Sequence, residues 1–126
     1  MKIKGSNVVS AYTGGKDRPR ITLSGNWLDE IGFTVDTIFL VEKADTGFII
    51  LKACGKGMEA YNRFVKKARM HGMKLIQVST TKAYPRIRLE GFWLERWGFS
   101  VDDIIAIAYE IDLIRIKRID CDTLGF

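Results

Sequence analysis

Polar and apolar residues alternate along Arg20-Ile21-Thr22-Leu23, which predicts a strand with Ile21 and Leu23 turned inward. Pro19 stands just ahead of it, where a missing N–H does least harm to a ladder. The pattern then changes period. Asn26-Trp27-Leu28-Asp29-Glu30-Ile31 predicts one short helix, capped by Asn26, with Asp29 near the positive end of its dipole. Gly32 is placed to end that helix as a left-handed residue, and Phe33 to pack back on it. Strands over 37–43 and 48–52 flank Asp45-Thr46-Gly47, a hairpin-turn signature. A β-type run over 8–12 and a glycine-bearing loop at 13–17 precede all of these.

The same order returns later in the chain. Strands are predicted at 75–78 and 86–89, a helical turn at 93–97 ending in Gly98-Phe99, and a last hairpin around Glu110-Ile111-Asp112 with a shorter connection. The repetition extends to identities: Pro19 to Ile38 matches Pro85 to Ile104 at a constant offset of 66 residues, with 12 of 20 columns identical. A unit this small cannot bury a sizeable core alone. Two copies in one chain therefore imply half-domains that complete each other, as a homodimer of single copies would. The expected organisation is a first repeat at 1–53, a linker at 54–73 and a second repeat at 74–126, the repeats sharing one domain. The fold class is mainly β, α+β by strict count.

Between the repeats the period becomes helical over Gly57 to Gly72. Met58, Tyr61, Phe64, Val65 and Ala68 share one face, and Glu59, Arg63, Lys66, Lys67 and Arg69 lie on the other side. The apolar face is expected to dock on the β body and the basic face to stay free. One account makes this a helical linker; the other makes it a phosphate-contacting helix.

Charge sharpens that second account. The 126 residues carry a formal net charge of +5, but residues 52–74 alone carry a net +6 and residues 1–20 a net +4. A concentrated basic patch is the footprint of a phosphate-binding surface, while the plain alternative is a solvated face. No run of about 18 apolar residues occurs, and the first residues lack the apolar core of a signal peptide, so the chain reads as cytoplasmic with no membrane partner. Cys54 and Cys121 are read as two reduced side chains, with a bridge joining the repeats as the alternative. With one histidine they fall short of a tetrahedral metal set, so no metal or other cofactor is expected.

The stretch Pro19 to Phe33, with its Gly-x-Trp-Leu-x-x-x-Gly-Phe core, resembles the SymE-like toxins of the swapped-hairpin AbrB-like superfamily, and the resemblance recurs over 84–119. It implies a pseudo-twofold β-barrel closed by exchange between the two repeats. The chain would then be a monomer with an internal pseudo-dimer, open to further dimerisation. It also implies a type I toxin–antitoxin protein that binds RNA, with cleavage of RNA and lowered protein synthesis. AbrB-like relatives are DNA-binding regulators and antitoxins. Their arginine pair on the short helix is replaced here by Leu28-Asp29 and Leu94-Glu95, which removes that phosphate grip. SymE-like proteins usually carry one copy and a basic tail; this chain has a second copy and a central basic helix.

RNA is therefore the expected partner ahead of DNA. Lys16, Arg18, Arg20, Arg86 and Arg88 are the candidate phosphate contacts on the β body, and Arg63, Lys66, Lys67 and Arg69 those on the helix. The alternative for Arg20 and Arg86 is an ordinary strand-edge cation paired with Asp36 or Asp102. Trp27, Trp93 and Trp97 are read as core, and Phe92 as the aromatic most suited to exposure. If the chain is an enzyme it is an endoribonuclease, for which His71, Arg20 and Arg86 are the only, thin, catalytic candidates. A DNA-binding regulator or antitoxin, and a protein-interaction module, stand as alternatives.

Overall fold

The computed structural model describes residues 2–13 and 17–119. Its elements in chain order are β1 (Lys2–Val8), β2 (Ser10–Thr13), β3 (Asp17–Ser24), α1 (Asn26–Glu30), β4 (Thr37–Asp45), β5 (Phe48–Lys56), α2 (Gly57–Met70), β6 (Lys74–Gln77), β7 (Ser79–Thr80), β8 (Pro85–Glu90), α3 (Trp93–Arg96), β9 (Ile104–Glu110) and β10 (Leu113–Arg118). They form two antiparallel sheets, a larger one ordered β1-β9-β10-β5-β4-β6 and a smaller one ordered β2-β3-β8-β7. The expected closed barrel is not what the strands make. The chain changes sheet at Val9, between β1 and β2, and at Val78, between β6 and β7, so the strands form two layers rather than a continuous ring.

Strand partners cross between the repeats. β1 of the first pairs with β9 of the second, β6 of the second pairs with β4 of the first, and the β3–β8 and β5–β10 ladders join the two directly. The two corners are equivalent. Val9 donates to the Asp103 carbonyl and accepts from Asp102 N–H, while Val78 donates to the Thr37 carbonyl and accepts from Asp36 N–H. Asp36 and Asp102 take φ of 71° and 75° at these corners, a conformation that aspartate tolerates better than most residues. Their role is thus in the turn.

The interior is built from twofold mates. Val9/Val78, Ile21/Ile87, Leu23/Leu89, Leu28/Leu94, Phe33/Phe99, Phe39/Ile105, Val41/Ile107, Ile49/Ile114 and Leu51/Ile116 are all buried in one cluster. The corner pair Val9/Val78 is offset by 69 residues. The last two pairs are offset by 65 residues rather than 66, because the second hairpin is one residue shorter, as its sequence suggests. One cluster fed equally by both repeats is the physical reason neither is expected to fold alone.

The repeated motif has a local logic. Phe33 N–H bonds the Leu28 carbonyl and Gly32 N–H that of Asp29; Phe99 and Gly98 do the same to Leu94 and Glu95. This pairing satisfies the last helical carbonyls and folds the phenyl ring back onto the leucine. Gly32 and Gly98 both sit at φ +96°. They also lie beneath the hairpin tip of the opposite repeat: Asp112 N–H bonds the Ile31 carbonyl and Gly47 N–H bonds that of Trp97. At the head of the motif, a Cβ on Gly91 would come within 2.8 Å of the Trp93 indole, and one on Gly25 within 2.9 Å of Trp27. That close approach lets the two indole N–H groups reach the carbonyls of Glu90 and Ser24, each at 3.0 Å. The expected cap is displaced by the same geometry. Gly25, not Asn26, holds the N-cap position, and Asn26 is the first helical residue with no side-chain cap bond.

α2 packs against β4, β5 and β6. Ile38 and Leu40, which point away from the shared core, are buried under it together with Ala60 and Ala68. The expected stripe holds in its C-terminal part, where Ala68 is buried and Phe64 and Val65 are half-buried, but Met58 is 71% exposed and Tyr61 also faces out. Small residues set the contact, since alanines let the helix backbone lie close to the sheet. The basic side chains Arg63, Lys66, Lys67 and Arg69 are exposed, as expected. Among the described residues no helix is long and apolar enough to cross a membrane.

Candidate nucleic-acid interface

Alternation along β3 and β8 sends Pro19, Ile21, Leu23, Pro85, Ile87 and Leu89 inward. It leaves Arg18, Arg20, Thr22, Ser24, Arg86, Arg88 and Glu90 on the outer face of the smaller sheet. The ladder pairs Arg20 with Glu90, Thr22 with Arg88, and Ser24 with Arg86. Four of the five arginine and lysine positions expected on the β body thus share one surface. The fifth, Lys16, lies outside the described residues, as does Cys121.

Each guanidinium is held differently. Arg20 donates through Nε and Nη2 to the same oxygen of Glu90, at 3.0 and 2.7 Å. Its partner is therefore Glu90 and neither Asp36 nor Asp102. Arg86 is half-buried and donates through Nε to the Ser79 hydroxyl over a long 3.4 Å. Arg88 stands opposite Thr22 on the pseudo-twofold axis. Its Nε is buried and has no hydrogen-bond partner among the described residues. A buried N–H left unpaired costs about 1–3 kcal/mol, and a bound oxyanion is suited to supply the missing acceptor. Arg18 lies over the Phe92 ring with its guanidinium carbon 5.1 Å from the centroid. Phe92 is exposed, as its sequence position suggests, and so is Tyr84 just before β8.

The tryptophans are half-buried and pack against the core. Trp27 packs on Tyr109 with centroids 5.2 Å apart, and Trp93 on Trp97 at 4.9 Å. Their rims still carry cations that sequence reasoning missed: Lys4 Nζ lies 5.3 Å from the Trp27 ring centre and Lys74 Nζ 5.6 Å from that of Trp93. No sequence signal links Lys4 to Trp27, because the contact depends on β1 reaching across to the second repeat. The helix cations form a separate surface. α2 covers the outside of the larger sheet, so Arg63, Lys66, Lys67 and Arg69 lie across the core from the arginine face.

The three catalytic candidates do not come together. Arg20 and Arg86 are on the smaller sheet, whereas His71 is the exposed C-cap residue of α2. Among the described residues no three His, Cys, Asp or Glu side chains gather where they could hold a metal ion.

Cys54, a free thiol, lies beside α2. Burial pushes its pKa up, against a hydrogen bond involving the Leu40 backbone and the nearby charge of Lys67, which both pull it down. A thiol raised on folding adds stability below its unfolded pKa and loses it as pH climbs through the folded value, so this contribution fades only in alkaline solution. Iodoacetamide should accordingly alkylate Cys54 more slowly than a free thiol at pH 8.5, read as the mass-spectrometric signal absent from Cys54→Ser. Equal rates would remove burial as the dominant influence.

Compared with protein-family models, with curated proteins and with solved structures, the chain has no match.

Proposed function

We propose that the protein binds nucleic acid, RNA ahead of DNA, through the outer face of the smaller sheet. The observation that carries this reading is the gathering of Arg18, Arg20, Arg86 and Arg88 on the outer face of the smaller sheet, with the Nε of Arg88 buried and without a hydrogen-bond partner among the described residues. The exposed flanking aromatics Phe92 and Tyr84 add surfaces on which unpaired bases stack. The likeness of the doubled motif to SymE-like toxins supports RNA as the target and growth inhibition as the outcome. Catalysis is not part of the proposal, since His71 stands apart from both arginines.

Fluorescence anisotropy with labelled single-stranded RNA, repeated between 50 and 200 mM salt, tests it. Arg88→Ala should weaken binding by about tenfold and lower the magnitude of the log–log salt slope by about 0.7, the share of one phosphate on a single strand. Unchanged affinity in an Arg86→Ala/Arg88→Ala double variant would eliminate this surface. A protein-interaction role is the second reading. It is favoured by Ile3, Val8 and Ile104, exposed on the part of the larger sheet that α2 leaves uncovered, and it predicts no nucleic-acid affinity at all.

A further inference from the structure

The arginine face is symmetric in backbone and asymmetric in chemistry. Arg20 and Arg86 are twofold mates, and so are Ser24 and Glu90. Across the ladder, Arg20 therefore meets a carboxylate while Arg86 meets a hydroxyl. Glu90 holds Arg20 through two hydrogen bonds to one oxygen, the way a phosphate oxygen would hold it. On the other side the Arg86 guanidinium donates, among the described residues, to the Ser79 hydroxyl alone, at 3.4 Å. The axis position adds to the imbalance, since it pairs a neutral Thr22 with Arg88.

The flanks break the symmetry as well. Phe92 occupies the place of Asn26, and Tyr84 the place of Arg18. The Arg20 end thus offers a phenyl ring stacked with an arginine, and the Arg86 end a tyrosine. From Tyr84 to Glu90 the strand spans about 20 Å at the usual rise per residue, long enough for a few nucleotides lying along it.

Resting on the reading above, we infer that this face takes a single nucleic-acid strand asymmetrically, with Arg86 and Arg88 gripping the phosphates and Glu90 withholding Arg20 as an internal phosphate substitute. A palindromic duplex is the wrong ligand for such a face. Twofold proteins read twofold sites because equivalent residues make equivalent contacts, and here the equivalent arginines are not equally available. A carboxylate beside Arg20 also repels any phosphate that approaches that half.

Exchanging the two mates tests the inference. Ser24→Glu places the same acid opposite Arg86, and Glu90→Ser removes it from Arg20. With single-stranded RNA as probe, Ser24→Glu should weaken binding by about tenfold or more, and Glu90→Ser should tighten it about threefold or more while steepening the salt slope by about 0.7. Wild-type protein should prefer the single strand over a palindromic DNA duplex of equal length, and Arg86→Ala should cost at least several times more than Arg20→Ala. Equal losses in Arg20→Ala and Arg86→Ala, or a preference for the palindrome, would overturn the asymmetry and leave the binding face standing. Indifference of RNA affinity to both Arg86→Ala and Arg88→Ala would instead remove the face, and the inference with it. Circular dichroism melts on each variant check that it is folded, so that a change in affinity at any of the five sites is read on native protein.

Discussion

Gly98→Ala will lower the unfolding free energy by on the order of 4 kcal/mol, a large fraction of the stability of an ordinary domain. Two independent effects combine. Gly98 sits at φ +96°, where a side chain is strained by about 1–3 kcal/mol. An added Cβ would also lie 2.5 Å from Gly47 N and 2.7 Å from Thr46 Cγ2 of the opposing hairpin tip. The first of these is backbone, locked by its bond to the Trp97 carbonyl, so relief requires the tip to lift and that bond to break. Overpacking of this kind adds about 1–3 kcal/mol. Gly32→Ala is the internal control. It shares the backbone strain, but its Cβ would meet Asp112 Oδ1, the end of a side chain that can rotate away. Urea titrations should therefore rank Gly98→Ala well below Gly32→Ala, with both below wild type. A Gly98→Ala unfolding free energy within about 1 kcal/mol of wild type, or the reverse ranking, contradicts the account of tips docking over the helix ends.

Phe99→Ala should cost about 3–5 kcal/mol, the range for deleting a large ring from a packed interior. Phe99 is fully buried in the cluster that also holds Leu94, and its N–H closes the helix end on the Leu94 carbonyl. Because the cluster is common to both repeats, the loss should appear as one cooperative transition at lower denaturant. A second transition belonging to the second repeat alone would show that the halves fold separately. Met58→Ala provides the contrast. Met58 belongs to the apolar stripe of the sequence but is 71% exposed, so its removal should change stability by no more than about 0.5 kcal/mol. A loss of 2 kcal/mol there would mean that α2 docks by a different face.

Much of the site was legible before folding was considered. Arg20 and Arg86 were identifiable as equivalents because their strands carry the same alternation, and alternation alone assigns them to the outer face. Arg18 and Arg88 follow by the same period of two. The Arg20–Glu90 pair was not legible. It depends on the register in which β3 meets β8, and nothing local in either strand says that residue 20 faces residue 90. The separation of the helix cations from the sheet arginines was hidden for a similar reason. An amphipathic pattern shows that a helix docks, but not on which layer.

The sequence by itself determined the doubled unit, the strands that flank each short helix, the inward side of Ile21 and Leu23 and the amphipathic basic helix between the repeats, but neither β1 nor β7. Local periodicity and the Gly-Phe helix stop are short-range properties, written within a few neighbouring residues. Tertiary structure alone decided that the strands lie in two open layers, which strands pair between the repeats, that Ala60 joins Ala68 under α2, and that Glu90 pairs with one of two equivalent arginines. Those outcomes depend on contacts between residues tens of positions apart, whose energies arise only when the two repeats close on each other.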